Sequence, residues 1–284
     1  MRYPFGIISA ICFTFPLDCS PQKSIMKVAF GWGQKGIEEK SMKTKSILAA
    51  SAAVLFVLVQ MAGANNIYFE DGQTHVINTN RQADTFWLDK NISNSPGTHL
   101  EIQSGGSTSI ILPFNYSTIT LNGGSIIGGN VAIDTYGDNI LIVNSGTIKG
   151  DIAANSNSRF YIDGGSLLDD VYAYDSGIVE IRGGQTGGIY GTYGNGKIYL
   201  YGGTFSVNGQ AVTAGDSLRH YVPISPQYPE YYIGTVTGTL QNGSPVNNNF
   251  WIWASTSSDI IVIPEPATIL LFGIGTCVLR RKSK

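Results

Sequence analysis

The chain has 284 residues, a formal charge of −2, only 13% charged residues, and 35 glycines and 15 tyrosines. Residues 65–263 hold 16 Asp and Glu against 7 Lys and Arg, a balance of 16 − 7 = 9 negative charges. Such a surface lacks the clustered cations that phosphate contacts need, which argues against nucleic acid as a partner. The cysteines, Cys12, Cys19 and Cys277, all fall outside this stretch, so neither a disulfide framework nor a Cys-based metal site is available to it.

In chain order, residues 1–41 show no period and read as a start-site overcall or an unstructured leader. From Met42, residues 42–64 carry the parts of a secretory signal. Lys43 and Lys45 form the basic region, residues 47–59 the apolar region, and Ala62-Gly63-Ala64 the small-residue cleavage site. Residues 65–96 are expected to cap the N-terminal end of a stack of strands in residues 97–215, because an open strand edge recruits other chains. Ile67-Tyr68-Phe69 and His75-Val76-Ile77 read as strands, with Phe86-Trp87-Leu88 laid across the end of the core.

Residues 97–215 write one phrase six times. One column runs Leu100, Ile119, Leu141, Phe160, Val179, Ile198; a second runs Ile102, Leu121, Val143, Ile162, Ile181, Leu200; a third holds Gly105, Gly124, Gly146, Gly165, Gly184, Gly203. The steps are 19, 22, 19, 19 and 19 residues. Apolar residues two apart fit a strand with one buried face, and the glycine pair after them turns a corner. A fixed period near this length means stacked coils. The expected fold is all-β: a single-stranded parallel β-helix of about six coils, rather than a glycine-rich sandwich, which would need no common register. The extra three residues of the 22-residue step are expected in a longer corner at residues 134–139. Tyr172, Tyr174, Tyr190, Tyr193, Tyr199 and Tyr201 are placed on the outside, where they form ladders or stack on sugar rings. His75 and His99 read as surface histidines.

Residues 216–263 leave the period. Pro223, Pro226 and Pro229 forbid a central strand, and residues 232–240 and 250–254 then form a β-hairpin that closes the stack. Residues 264–284 begin with Pro264-Glu265-Pro266, continue with an apolar run and end with Arg280, Arg281, Lys282 and Lys284. This order describes a short membrane helix with a cytoplasmic positive stop.

That C-terminal segment resembles the PEP-CTERM sorting signal of Gram-negative and related bacteria, in its Pro-Glu-Pro triplet, apolar helix and basic tail. The resemblance implies export through the Sec translocon, trimming by signal peptidase, and a transient hold in the inner membrane. Exosortase, a membrane cysteine transpeptidase, would then cut near Pro264 to Pro266 and release the body to the cell surface or matrix. Such systems accompany exopolysaccharide and biofilm formation. The repeat phrase is also similar to autotransporter-type β-helix repeats.

A structural or adhesive surface protein is therefore expected, with a glycan-binding or polysaccharide-degrading β-helix as the alternative. Catalysis would need carboxylates converging on one groove. The candidates are Asp151, Asp163, Asp169, Asp170 and Asp175, with Arg159 and Arg182 nearby in sequence. Asp163 and Arg182 share a column in adjacent coils and are expected to pair. No catalytic residue, metal or cofactor is assigned.

Overall fold

The computed structural model describes residues 65–91 and 97–264. Ala62, Ala64, Glu265, Pro266, Arg280, Arg281, Lys282 and Lys284 lie outside the described residues, as do the leader, the signal sequence and the apolar tail.

Apolar residues at every second position make each phrase a strand with one face turned inward. The glycine corner then sends the chain into a two-residue strand and a third strand before the next phrase begins. His99–Gln103, Ser107–Thr108 and Ile111–Asn115 are one such turn. In that order, the three strands lie on the repeat face, the short face and the outer face of the stack. Thr118–Asp134 and Ile140–Ala154 each bend around all three sides as one continuous strand.

Parallel pairing stacks the turns. On the repeat face, in-register neighbours run His75, Leu100, Ile119, Leu141, Phe160, Val179, Ile198 and Ile260. Two residues on they run Ile77, Ile102, Leu121, Val143, Ile162, Ile181, Leu200 and Val262. The two columns thus align as their spacing predicts, and from Leu100 to Leu200 every member is fully buried. Seven steps join the eight strands, so the β-solenoid has seven turns rather than six.

The glycine corner has a steric cause. Gly146 and Gly184 lie at φ +103° and +90°, where a side chain is strained. A Cβ on Gly146 would also collide with the Gly124 carbonyl oxygen of the turn below.

Residues 65–91 do not form a separate cap. Asn66–Phe69 pairs with Thr85–Leu88, Thr74–Ile77 with His99 to Ile102, and Asn80–Arg81 with Ser107–Thr108, all in parallel. Phe86 and Leu88 are buried members of the inward column, not lids across it. The repeat-face column ends at His75, whose ring stacks on Phe69 at 3.7 Å and whose Nε2 meets Asp71 Oδ1 at 2.9 Å.

The three extra residues of the long turn are not at residues 134–139. Ile126 to Ile133 takes seven steps where the in-register Ile148 to Ile152 takes four, so the insertion is a bulge around Gly128 and Asn130. The 134–139 corner has the same length as its neighbour in the next turn.

The C-terminal region is an excursion from within a turn. Ile198 and Ile260 are in-register neighbours 62 residues apart instead of 19. The chain leaves the solenoid after Lys197–Val207, forms the 3-10 turn Leu218–Tyr221, and makes the antiparallel hairpin Tyr231–Leu240 with Pro245–Trp253. Its turn carries Asn242-Gly243, with Gly243 at φ +88°. Phe250 to Ile252 then pair in parallel with Tyr190 to Thr192, and Asp259–Pro264 stacks on the repeat face. Residues 250–264 are therefore solenoid strands as well as closure. The outer edge of the last strand is covered by Ser217, which bridges Ile261, and by fully buried Leu218.

Candidate functional site

The outer face carries an aromatic strip. Its inward residues are Ile67, Phe86, Ile111, Ile133, Ile152, Val171, Tyr190 and Phe250. Tyr190 is thus a correction: it is fully buried, with its hydroxyl 2.6 Å from Thr186 Oγ1, because it stands in register with inward-facing Val171 of the turn before. Residues one and three positions after the inward column point out. Tyr68 stacks on Trp87 at 6.0 Å, Trp87 on Phe114 at 5.9 Å, and Phe114 on Tyr136 at 5.0 Å. Further along, Tyr172 lies 5.4 Å from Tyr174 and 5.9 Å from Trp251. Tyr231 meets Trp251 and Trp253 edge-on at 5.5 and 4.6 Å, and Tyr193 meets Trp253 at 5.1 Å.

Gly191 makes the second cluster possible. It sits between Tyr172 and Trp251 in the ladder, and a Cβ there would fall 2.7 Å from Tyr172 Cδ1 and collide with the Trp251 indole. Where the excursion rejoins the strip, Tyr228, Tyr231, Ile233 and Trp251 line an apolar cleft of 320 Å³.

Carboxylates border the strip. Asp134 accepts from the Tyr136 hydroxyl at 2.6 Å, and this bond pushes the Tyr136 phenol up to about 12. Asp170 accepts from the Tyr172 hydroxyl at 2.6 Å and from the Ile189 N–H at 2.7 Å. Burial first, then that carboxylate, drives the Tyr172 phenol upward. Tyr174 is pushed up to about 12 by burial and by the charges of Asp151, Asp134 and Asp170. Asp151 accepts from the Asp170 N–H at 3.2 Å, yet burial holds its carboxyl above the usual range, reinforced by the charges of Asp170 and Asp169.

The candidate acids fall in three places. Asp169 accepts from the Gly150 N–H at 2.6 Å, so Asp151, Asp169 and Asp170 act as staples between turns at one corner. Asp163 pairs with Arg182 at 3.4 Å on the repeat face, as their shared column predicts, and Arg182 also pairs with Glu180. Arg159 lines a separate groove of 520 Å³ with Asp138 and Ser176, and Asp175 sits in a corner at φ 53°. Among the described residues no group of three or more His, Cys, Asp or Glu could hold a metal, and no helix is long and apolar enough to cross a membrane. His99 contacts Thr120 Oγ1 at 3.0 Å.

Sequence reasoning placed Tyr172, Tyr174 and Tyr193 on the outside but did not join them to Trp251 and Trp253, nor to the run through Tyr68, Trp87, Phe114 and Tyr136. The 22-residue step from Phe114 to Tyr136, equal to the long repeat step, was the available signal. Compared with known proteins, the chain matches no family model, no curated protein and no solved structure.

Proposed function

We propose that the chain is an exported, exosortase-processed protein of the cell surface or extracellular matrix, with a structural and adhesive role beside exopolysaccharide. The observation that carries this reading is the aromatic strip of the outer face, which runs in two clusters, Tyr68 to Tyr136 and Tyr172 to Trp253, on either side of the turn that carries Ala153. Rings held by backbone register stay preorganised, and planar apolar faces suit the C–H faces of sugar rings without a deep pocket. The signal-like residues 42–64, with cleavage at Ala62 to Ala64, support export. The Pro264-Glu265-Pro266 triplet, apolar run and basic tail support sorting by exosortase after translocation by Sec and cleavage by signal peptidase. Pro264 ends the last stacked strand, so cleavage there would release the solenoid whole.

The test has two parts. Mass spectrometry of protein released from the surface of the native host should find ends near Ala64 and near Pro264 to Pro266. The full chain should also be retained on the host's matrix polysaccharide without shortening it. Intact termini at both ends would sink the sorting reading, and passage without retention would sink the adhesive one.

A further inference from the structure

We propose that the C-terminal stretch of the aromatic strip binds an amine-bearing glycan, a polymer of partly de-N-acetylated hexosamine. The inference rests on the adhesive reading above and names the polymer.

Three observations converge on it. First, Trp251 is shared between the apolar cleft with Tyr228, Tyr231 and Ile233 and the stack on Tyr172. Trp251 links the cleft to Tyr172, 5.9 Å away between ring centres, whose hydroxyl donates to the Asp170 carboxylate. Second, the bordering carboxylates have no cation of their own. Ion pairs among the described residues engage Asp71, Asp84, Asp163, Glu180 and Asp259, and none reaches Asp134, Asp151, Asp169 or Asp170. Burial raises the Asp151 carboxyl, and the charges of Asp170 and Asp169 add to it. Third, the other end of the same strip shows what such a surface accepts: the Lys90 ammonium lies 3.8 Å from the centre of the Trp87 ring and 5.9 Å from that of Tyr68. An ammonium between aromatic faces and carboxylates gains both attractions at once.

An acidic polymer meets like charge here, and a neutral one leaves the negative charge without a cation. An amino sugar supplies an apolar ring face and a cation within one residue. Its ammonium would face Asp170 and Asp151 while its ring stacks on Trp251.

The experiment titrates the full chain with chitosan oligomers, fully N-acetylated oligomers of the same length, and poly-lysine, following tryptophan fluorescence. Chitosan oligomers should bind and perturb the fluorescence, with the acetylated oligomers and poly-lysine each about tenfold weaker or more. Trp251→Ala and Asp151→Asn should each cost about tenfold, whereas Asp138→Asn, an equal charge change at another corner, should cost nothing. Tyr231→Ala, whose ring lines the cleft without filling the core, replaces Trp251→Ala if that variant loses its β circular dichroism. Equal binding of acetylated and free-amine oligomers overturns the proposal. Equal binding of poly-lysine does so too, as does an Asp138→Asn loss matching that of Asp151→Asn. If those tests fail while the host polysaccharide still retains the chain, only this inference falls; retention on no polymer removes the adhesive reading as well.

Discussion

The Ser117 hydroxyl donates to the Asp89 carboxylate at 2.9 Å although the two residues are 28 positions apart in the chain. Asp89 also accepts from the Thr98 N–H and the Thr98 hydroxyl, both at 2.7 Å, and all three residues are fully buried. The corner between the outer and repeat faces is thus a polar ladder, continued by Asn139, which accepts from the Ser117 N–H at 3.1 Å.

Replacing Asp89 by Ala would strand the Thr98 N–H and hydroxyl at once, while the Ser117 hydroxyl keeps the Phe114 carbonyl at 2.8 Å. Leaving charge-assisted partners unsatisfied in the interior costs several kcal/mol, so Asp89→Ala should destabilise by about 3 kcal/mol or more. Chemical denaturation reads this directly, and Asp89→Asn, which keeps one acceptor oxygen, should cost less.

The glycines should divide by position. Gly146→Ala combines an unfavourable φ with a backbone collision and should cost about 2 kcal/mol or more. Gly129 lies in the bulge with nothing within 4 Å, and Gly129→Ala should be within about 0.5 kcal/mol of neutral. Thermal midpoints of the two variants should therefore separate widely; equal midpoints would contradict the stacking geometry.

Asp151 offers a test with the opposite sign. Its carboxyl titrates above the ordinary range, so the ionised form opposes folding, and stability falls as pH rises through that folded-state value. Asp151→Asn keeps an acceptor for the Asp170 N–H and removes the charge. At neutral pH it should raise stability by up to about 1 kcal/mol, solvent screening limiting the gain. In acid, where the wild-type carboxyl is protonated, the advantage should vanish.

The tyrosines set the alkaline limit. Tyr136 and Tyr174 are pushed up to about 12, above the ordinary phenol value of 10.0. Raised folded-state values mean that the stabilisation they represent is whole below about pH 10 and is lost as pH climbs toward 12. Spectrophotometric titration should show phenolate forming in two groups, the later one coinciding with loss of β circular dichroism. Asp134→Asn should move Tyr136 to lower pH.

Asn248 pins the excursion back onto the solenoid. Its amide donates to the Thr186 and Gly188 carbonyls at 3.1 and 2.5 Å, and its oxygen accepts from the Thr186 hydroxyl at 3.0 Å. Asn248→Ala should cost about 2 kcal/mol and open residues 208–249 to limited proteolysis well before the remaining turns.

Much of the fold was legible because inward positions tolerate few residue types. Leu100, Ile119 and Leu141 repeat since each turn must bury its own share of the same core, and the periodic glycines mark where backbones nearly touch. The rest was hidden where that constraint is interrupted. Phe250 pairs with Tyr190 across a separation of 60 residues that includes the excursion, so no period announces that residues 250–264 rejoin the stack. Tyr190 was misplaced because a corner resets the alternation of inward and outward positions. The aromatic strip was visible in pieces only: outward positions accept almost any side chain, and Trp87 and Tyr136 need the register to be seen as neighbours.

The excursion also bears on the order in which the chain folds. Bringing Ile260 beside Ile198 closes 62 residues, against 19 for every ordinary step late in the repeat, an added entropic cost of about 1 kcal/mol. Contacts that join distant segments form late, so the seventh turn should be the last to zip. Until it does, the edge of Lys197–Val207 stays open to pairing with a strand from another chain, and the window for aggregation is as long as that final closure is slow.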